Sequence, residues 1–174
     1  ESDSVKALRE AKAREINADA ATKEAAAKLA YIQYQLDSAT LEAKIATEQA
    51  RQELELLQAQ IDYFNLKSTE KNEKIEALRN ELNMIRGYIE TLAAELYGFS
   101  AVPGGLLMEI YSIESIIIKC DQDLGTAPDD QKPMLQTRID ALKQQLVSKK
   151  TERDSKVKEL AALNKRLAEI AAEI

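Results

Sequence analysis

Apolar positions recur along this chain at helical spacing, most regularly over residues 54–96. There they fall at Leu54, Leu57, Ile61, Phe64, Ile75, Leu78, Leu82, Ile85, Ile89, Leu92 and Leu96. From Ile75 onward the steps alternate between three and four, which is the a/d stripe of a coiled-coil helix. Counting back in heptads places Ser68 and Lys71 on the same stripe, so the seam carries a polar interruption and a bend is expected over residues 68–72. Residues 1–86 contain neither Gly nor Pro, and Glu24, Ala25, Ala26, Ala27, Lys28 is a strongly helix-favouring run. One helix over residues 5–97 is the simplest prediction, with Gly87 tolerated inside it and Gly98 as its stop. At 1.5 Å per residue such a helix is ~140 Å long.

The first part of that helix has little to bury. Fifteen of the first sixty residues are Ala, and the larger apolar residues up to position 45 are only Val5, Leu8, Ile16, Leu29, Ile32, Leu36, Leu41 and Ile45. Their phase slips between Leu36 and Leu41, as at a coiled-coil stutter. The N-terminal third therefore reads as a tether, or as a helix whose partner is another chain. Leu29, Ile32 and Leu36 are its candidate contact residues.

After Gly98 comes a turn rich in apolar residues, with Phe99 and Val102 before Pro103, Gly104 and Gly105. Residues 106–120 are apolar nearly all round, apart from Glu109, Ser112, Ser115 and Lys119 on one face and Glu114 off it. A short, well-buried helix is expected, although the triplet Ile116, Ile117, Ile118 leaves a strand open. Phe99, Val102, Leu106 and Leu107 make this end of the molecule a second candidate interaction site. A return helix over residues 130–174, with Asp130 as N-cap and Pro133 in the first turn, carries Leu135, Ile139, Leu142, Leu146, Leu160, Leu163, Leu167, Ile170 and Ile174 in one heptad register. Lys149, Arg153 and Lys156 interrupt that seam. Setting the two polar gaps opposite each other in an antiparallel pair makes Ile85 face Leu135 and Leu54 face Arg166, brings Ile174 to Ala46, and leaves residues 1–45 uncovered. The expected fold is thus all-α: a long antiparallel coiled-coil hairpin of extended shape with a short third helix. It forms a single domain made of an Ala-rich stalk (1–53), the distal half of the same helix (54–98), a short helix (106–120) and the return helix (130–174).

Composition narrows the chemistry. Aromatic residues make up 5% of the 174 and Trp is absent, so a large spherical core is not expected, whereas 31% charged residues suits long helices sharing narrow seams. No apolar run approaches the roughly 20 residues of a membrane span. The chain has no His, which removes imidazole metal sites and His-based triads, and its one cysteine, Cys120, excludes an internal disulfide and reads as an inert packed thiol. Residues 1–130 hold 14 basic and 24 acidic side chains, and residues 131–174 hold 10 and 6, so the two parts favour lying side by side. The basic cluster Lys149, Lys150, Arg153, Lys156 and Lys158 is accordingly read as pairing with acidic helix and not as a nucleic-acid footprint, since no aromatic is interleaved with it. Asp121, Asp123 and Gly125 fall short of a calcium loop, because the Gly stands one place early and Lys132 occupies the position of the bidentate Glu. Gly104 and Gly105 are not followed by the Lys of a phosphate loop. Carboxylates such as Glu70, Glu73 and Glu76 sit at helical spacing with no cleft to separate their pKa values. No catalytic, cofactor-binding or metal-ligating residue is assigned, and neither an enzymatic activity nor a small-molecule ligand is expected.

The opening run Ser4, Val5, Lys6, Ala7, Leu8, Arg9, Glu10, Ala11, Lys12, Ala13, continuing into Ala-, Gln- and Glu-rich helix with Tyr31 and Tyr34, resembles the mature N-terminal region of predicted exported coiled-coil lipoproteins of Gram-negative gut bacteria. The resemblance covers the first ~65 residues. It implies export by a lipoprotein signal and acylation of a Cys just before Glu1, so that membrane attachment lies outside this sequence. The expected role is a non-enzymatic structural or interaction protein of the bacterial cell envelope, with self-association or another helical protein as its partner. Alternatives are a transport-adaptor or pore-forming type of hairpin, or a cytoplasmic tether or chaperone.

Overall fold

A computed structural model describes residues 2–67, 73–99 and 104–174. Four helices account for nearly all of them: α1 (Asp3–Lys67), α2 (Glu73–Tyr97), α3 (Gly105–Thr126) and α4 (Lys132–Glu173), with no strand among the described residues. The expected all-α class is what the structure has. Helix boundaries follow local chemistry. Ser2 caps α1 by accepting the Val5 N–H at 3.3 Å. Gly98 ends α2 at φ +88°, its N–H donating to the Ala94 carbonyl at 2.9 Å. Pro133 is the second residue of α4, where its missing N–H is harmless; the residue before the helix is Gln131, one place beyond the Asp130 expected as cap. The Ile triplet lies inside α3, so the strand alternative is excluded, and α3 runs six residues past the predicted end at Cys120.

The chain forms two compact units, Glu1–Leu36 with Ile110–Val147, and Asp37–Glu109 with Ser148–Ile174. In the second unit, segments of α1, α2 and α4 make a three-helix bundle. Its core joins Ala50, Leu54, Leu57 and Ile61 of α1 with Leu78, Leu82, Ile85 and Ile89 of α2 and Leu167 and Ile170 of α4. Ion pairs give the directions. Arg51, Glu55 and Asp62 of α1 bind Glu90, Arg86 and Arg79 of α2, so numbers rise along one helix as they fall along the other and the pair is antiparallel. Lys156 to Glu95 and Arg166 to Glu81 set α4 antiparallel to α2 in the same way.

These contacts correct the prediction of one helix over residues 5–97. In a straight helix Arg51 and Glu90 would be ~58 Å apart, whereas here the guanidinium holds both carboxylate oxygens at 2.8 and 2.9 Å. The physical reason is the seam itself. Left straight, its apolar positions would all need an outside partner; folded back, the residues before the polar gap cover those after it, and the burial is intramolecular. The bend expected at 68–72, and Ser68 and Lys71 with it, lie outside the described residues. Residues 54–98 are therefore not the distal half of the stalk helix.

The hairpin register is corrected as well. Arg166 faces Glu81 and not Leu54, Asn164 rather than Ile174 meets Ala46, donating to its carbonyl at 3.2 Å, and Ile85 and Leu135 belong to different units. The expected register set two lysine-bearing gaps against each other. Lys149 and Lys156 in the α4 seam instead meet Glu109 and Glu95, at 3.1 and 2.5 Å, which removes the like-charge repulsion that the expected register carried.

In the first unit, Ile32 and Leu36 of α1, Ile110, Ile113, Ile117 and Cys120 of α3, and Ile139 of α4 are buried. Ala21, Glu24, Ala25 and Lys28 line a shallow groove with Ile118, Asp121 and Gln122, which places α3 along α1. Cys120 is 4% exposed. A thiol reagent is accordingly expected to leave it unmodified in the native protein and to react fully in denaturant, read by absorbance; rapid native labelling would contradict the packing.

Candidate interaction surface

Four of the seven residues expected to make contacts with a partner are core. Leu106 and Leu107, on the first turn of α3, are 4% and 5% exposed, and Ile32 and Leu36 are each 7% exposed. Ile32 and Leu36 were expected to be uncovered because the predicted return helix stopped short of them, whereas Leu106 and Leu107 belong to the helix expected to be well buried. In the structure the return is shared between α2, α3 and α4, and it covers α1 from Ile32 onward. Leu29 is at the edge of exposure, Phe99 is almost wholly exposed, and Val102 lies outside the described residues.

The surface that the heptad count missed is on the outward side of α1. Within the second unit, Leu41, Ile45, Leu56, Tyr63 and Leu66 are all exposed and share one face, opposite the core residues Ala43, Thr47, Ala50, Leu54, Leu57 and Ile61. Their spacing is visible in the sequence as an eleven-residue period, from Ile45 to Leu56 and from Leu41 through Gln52 to Tyr63, which a search for sevens passes over. Two acidic residues flank the stripe: Glu42, and Glu48, which has a 3.7 Å contact with Arg51. Of the nearby cations, Lys44 turns to the Tyr97 ring of α2, 5.7 Å from its centroid, and Lys67 lies over the Tyr63 ring of the stripe, also at 5.7 Å. At the end of the stripe Ala59, Gln60, Tyr63 and Phe64 form an open groove of about 430 Å³ with Ala171 of α4 and Ile174 just after it. The groove confirms that α1 and α4 run side by side in the same direction, since Asn164 lies at Ala46 and Ile174 at Tyr63.

The comparisons decide little here. No protein-family model, curated protein or solved structure matches this chain. What the surface can do must come from its chemistry. Among the described residues no three His, Cys, Asp or Glu side chains gather as a metal site, and no helix is long and apolar enough to cross a membrane. A second groove, about 520 Å³ between α2 and α4, is lined by Tyr88, Thr91, Leu92 and Leu163 with Glu95, Lys156 and Glu159 at its edge, and it is wide open to solvent.

Charged groups in the second unit serve the bundle. Hydrogen bonds from Arg166 hold the Glu81 carboxyl below its ordinary value, against the opposing effect of partial burial, and Arg51 does the same for Glu90. A carboxyl whose pKa is lowered by folding stabilises the native state above its unfolded value and loses that contribution as pH falls through the folded value. Thermal stability is therefore expected to drop as pH is lowered from about 5 to about 3, and the double variant Glu81→Gln, Glu90→Gln should show a flatter profile over that window. Parallel profiles by circular dichroism would remove these two pairs as the cause.

Proposed function

We propose that this chain is a non-enzymatic structural or protein-interaction protein of the bacterial cell envelope, working through the outward face of α1 and held at the membrane by a lipid on a residue preceding Glu1. The observation that carries the contact role is the exposed stripe Leu41, Ile45, Leu56, Tyr63 and Leu66 on a 65-residue helix. Large apolar side chains grouped on one face of a charged helix, here in two clusters separated by Glu48 and Gln52, mark a contact surface more than residues scattered singly over all faces do. The location rests on the resemblance of the first ~65 residues to exported coiled-coil lipoproteins.

Fractionation of the natural full-length protein, with metabolic labelling by a radioactive fatty acid, tests the reading. Recovery with membranes and incorporation of label are expected. A wholly cytosolic, unlabelled protein would overturn the envelope location.

A further inference from the structure

The outward face of α1 in the second unit is self-complementary when reversed. Taken inward from its ends, Leu41 matches Leu66, Ile45 matches Tyr63, Glu48 matches Ala59 and Gln52 matches Leu56, and the midpoint of every pair falls between Glu53 and Leu54. The large apolar side chains among them are all exposed. We infer that a second copy of this chain is the partner, its α1 lying antiparallel on α1 about a two-fold axis level with Glu53 and Leu54. The cluster of Leu41 and Ile45 then covers the cluster of Tyr63 and Leu66 of the other copy, twice over, and the small Ala59 leaves room for the Glu48 side chain. A parallel pair would set Glu48 against Glu48, whereas the antiparallel one holds those carboxylates ~17 Å apart along the axis. The second copy is thus the occupant of the contact surface proposed above, and its assignment rests on that reading of α1.

The charges on both flanks agree with that axis. A two-fold perpendicular to the helices brings each flank of α1 against the same flank of the copy. At about 100° per residue, Glu42 and Lys67 share the flank of Gln60, which lines the groove with Ala171 of α4. Their midpoint lies beside Leu54, so Glu42 of each copy comes opposite Lys67 of the other. On the flank toward α2, Lys44 comes opposite Asp62, and Arg51 opposite Glu55. Like charges approach as well: Glu48 nears Asp62, and Glu55 nears its own copy. Each of these carboxylates already has an arginine of its own chain within 3.7 Å, which offsets the repulsion. Glu53 faces its own copy at the rim, where water and salt screen it. From Leu41 to Leu66 the row is ~38 Å long, and at a helix width of ~10 Å it covers ~400 Å² per copy. That is below a standard stable interface, so the dimer is weak and reversible, with a dissociation constant on the order of 100 μM.

Cysteine cross-linking of the full chain tests the register. Ile45→Cys mixed with Tyr63→Cys should form the mixed disulfide at least about tenfold faster than either variant links to itself, because like positions lie ~26 and ~28 Å apart along the axis. Cys120 is buried, so the parent chain should stay unlinked. In sedimentation equilibrium Glu42→Lys and Lys67→Glu should each weaken the dimer about threefold or more, and the two combined should return it to within about twofold of the parent. Circular dichroism checks that each variant keeps its helix. Self-linking of Ile45→Cys as fast as the mixture, a parent chain monomeric at on the order of 1 mM, or a combined variant as weak as either alone would overturn the inference. A monomer that fractionates with membranes would remove this dimer and leave the envelope location standing. A dimer with this register in a cytosolic protein would do the reverse.

Discussion

Changing Ile89 to Asp is expected to abolish cooperative folding of the unit Asp37–Glu109 with Ser148–Ile174. Ile89 is fully buried and belongs to the cluster that joins α1, α2 and α4. The clustered side chains around it are Leu, Ile and Ala, so an introduced carboxylate finds no donor and must either stay protonated or open the bundle. The milder Ile89→Ala removes the same contacts without the charge and is expected to cost ~2–5 kcal/mol. Val157→Ala, at a half-exposed site on α4, should cost well under half of that. Urea unfolding followed by circular dichroism gives all three. If Ile89→Ala unfolds at the parent's urea midpoint, α2 does not pack on α1 and the fold-back of the seam is wrong.

Gly105→Ala is expected to be the most damaging addition of a single methyl group in the protein. Gly105 sits at φ +69°, and a Cβ there would come within 2.8 Å of the Glu95 carbonyl oxygen and of the Leu96 carbonyl carbon and oxygen. Backbone cannot swing aside as a flexible side chain can. The left-handed conformation alone costs ~1–2 kcal/mol for a residue with a Cβ, and the clash must move the start of α3 away from the end of α2 in addition. A total loss of ~3 kcal/mol or more is expected. Gly87→Ala is the control. It lies inside α2 with open space at its Cβ, and helix propensity predicts a gain of ~0.5–1 kcal/mol. Thermal melts should move in opposite directions for the two variants. A neutral Gly105→Ala would mean that the α2–α3 junction is looser than the structure has it.

Much of this architecture was legible as residue pattern. The a/d stripe of α2 emerges with Leu78, Leu82, Ile85, Ile89, Leu92 and Leu96 all buried. The heptad register of α4 also holds: Ile139, Leu160, Leu167 and Ile170 are buried, while Lys149, Arg153 and Lys156 at seam positions are half-buried. Gly98 stops its helix and Gly87 does not. Periodicity states which face of a helix is covered, but not by which neighbour. Residues 68–72 carry no Pro or Gly, so propensity alone continued the helix through them. The fold-back is decided by tertiary burial between Leu57 and Ile85 or Ile89, a comparison of two compact arrangements that local propensity does not contain.

The contact surface was hidden for a related reason. In α1 the strongest apolar residues are split between two faces, with Ile32, Leu36, Leu54, Leu57 and Ile61 inside and Leu41, Ile45, Leu56 and Leu66 outside. Reading them as one sparse stripe produced the apparent stutter between Leu36 and Leu41. Inside, α1 spans the interval with Ala43, Thr47 and Ala50, whose small size lets a neighbouring helix approach closely; the Thr47 hydroxyl is satisfied by donating to the Ala43 carbonyl at 2.7 Å. Small residues that looked like missing core were core.

The amide of Asn164 gives that close approach a further consequence. Leu160, Leu163, Leu167 and Ile170 repeat so evenly that α4, slid by one heptad along α1, would still bury part of the same apolar stripe. Such a slide would bring Val157 or Ala171 to Ala46 and strip Asn164 of the carbonyl it now holds. A β-branched side chain does not fit where an alanine layer has drawn two backbones together, and a half-buried amide without a partner is unfavourable. One polar side chain thus helps to single out the native alignment of a repetitive seam.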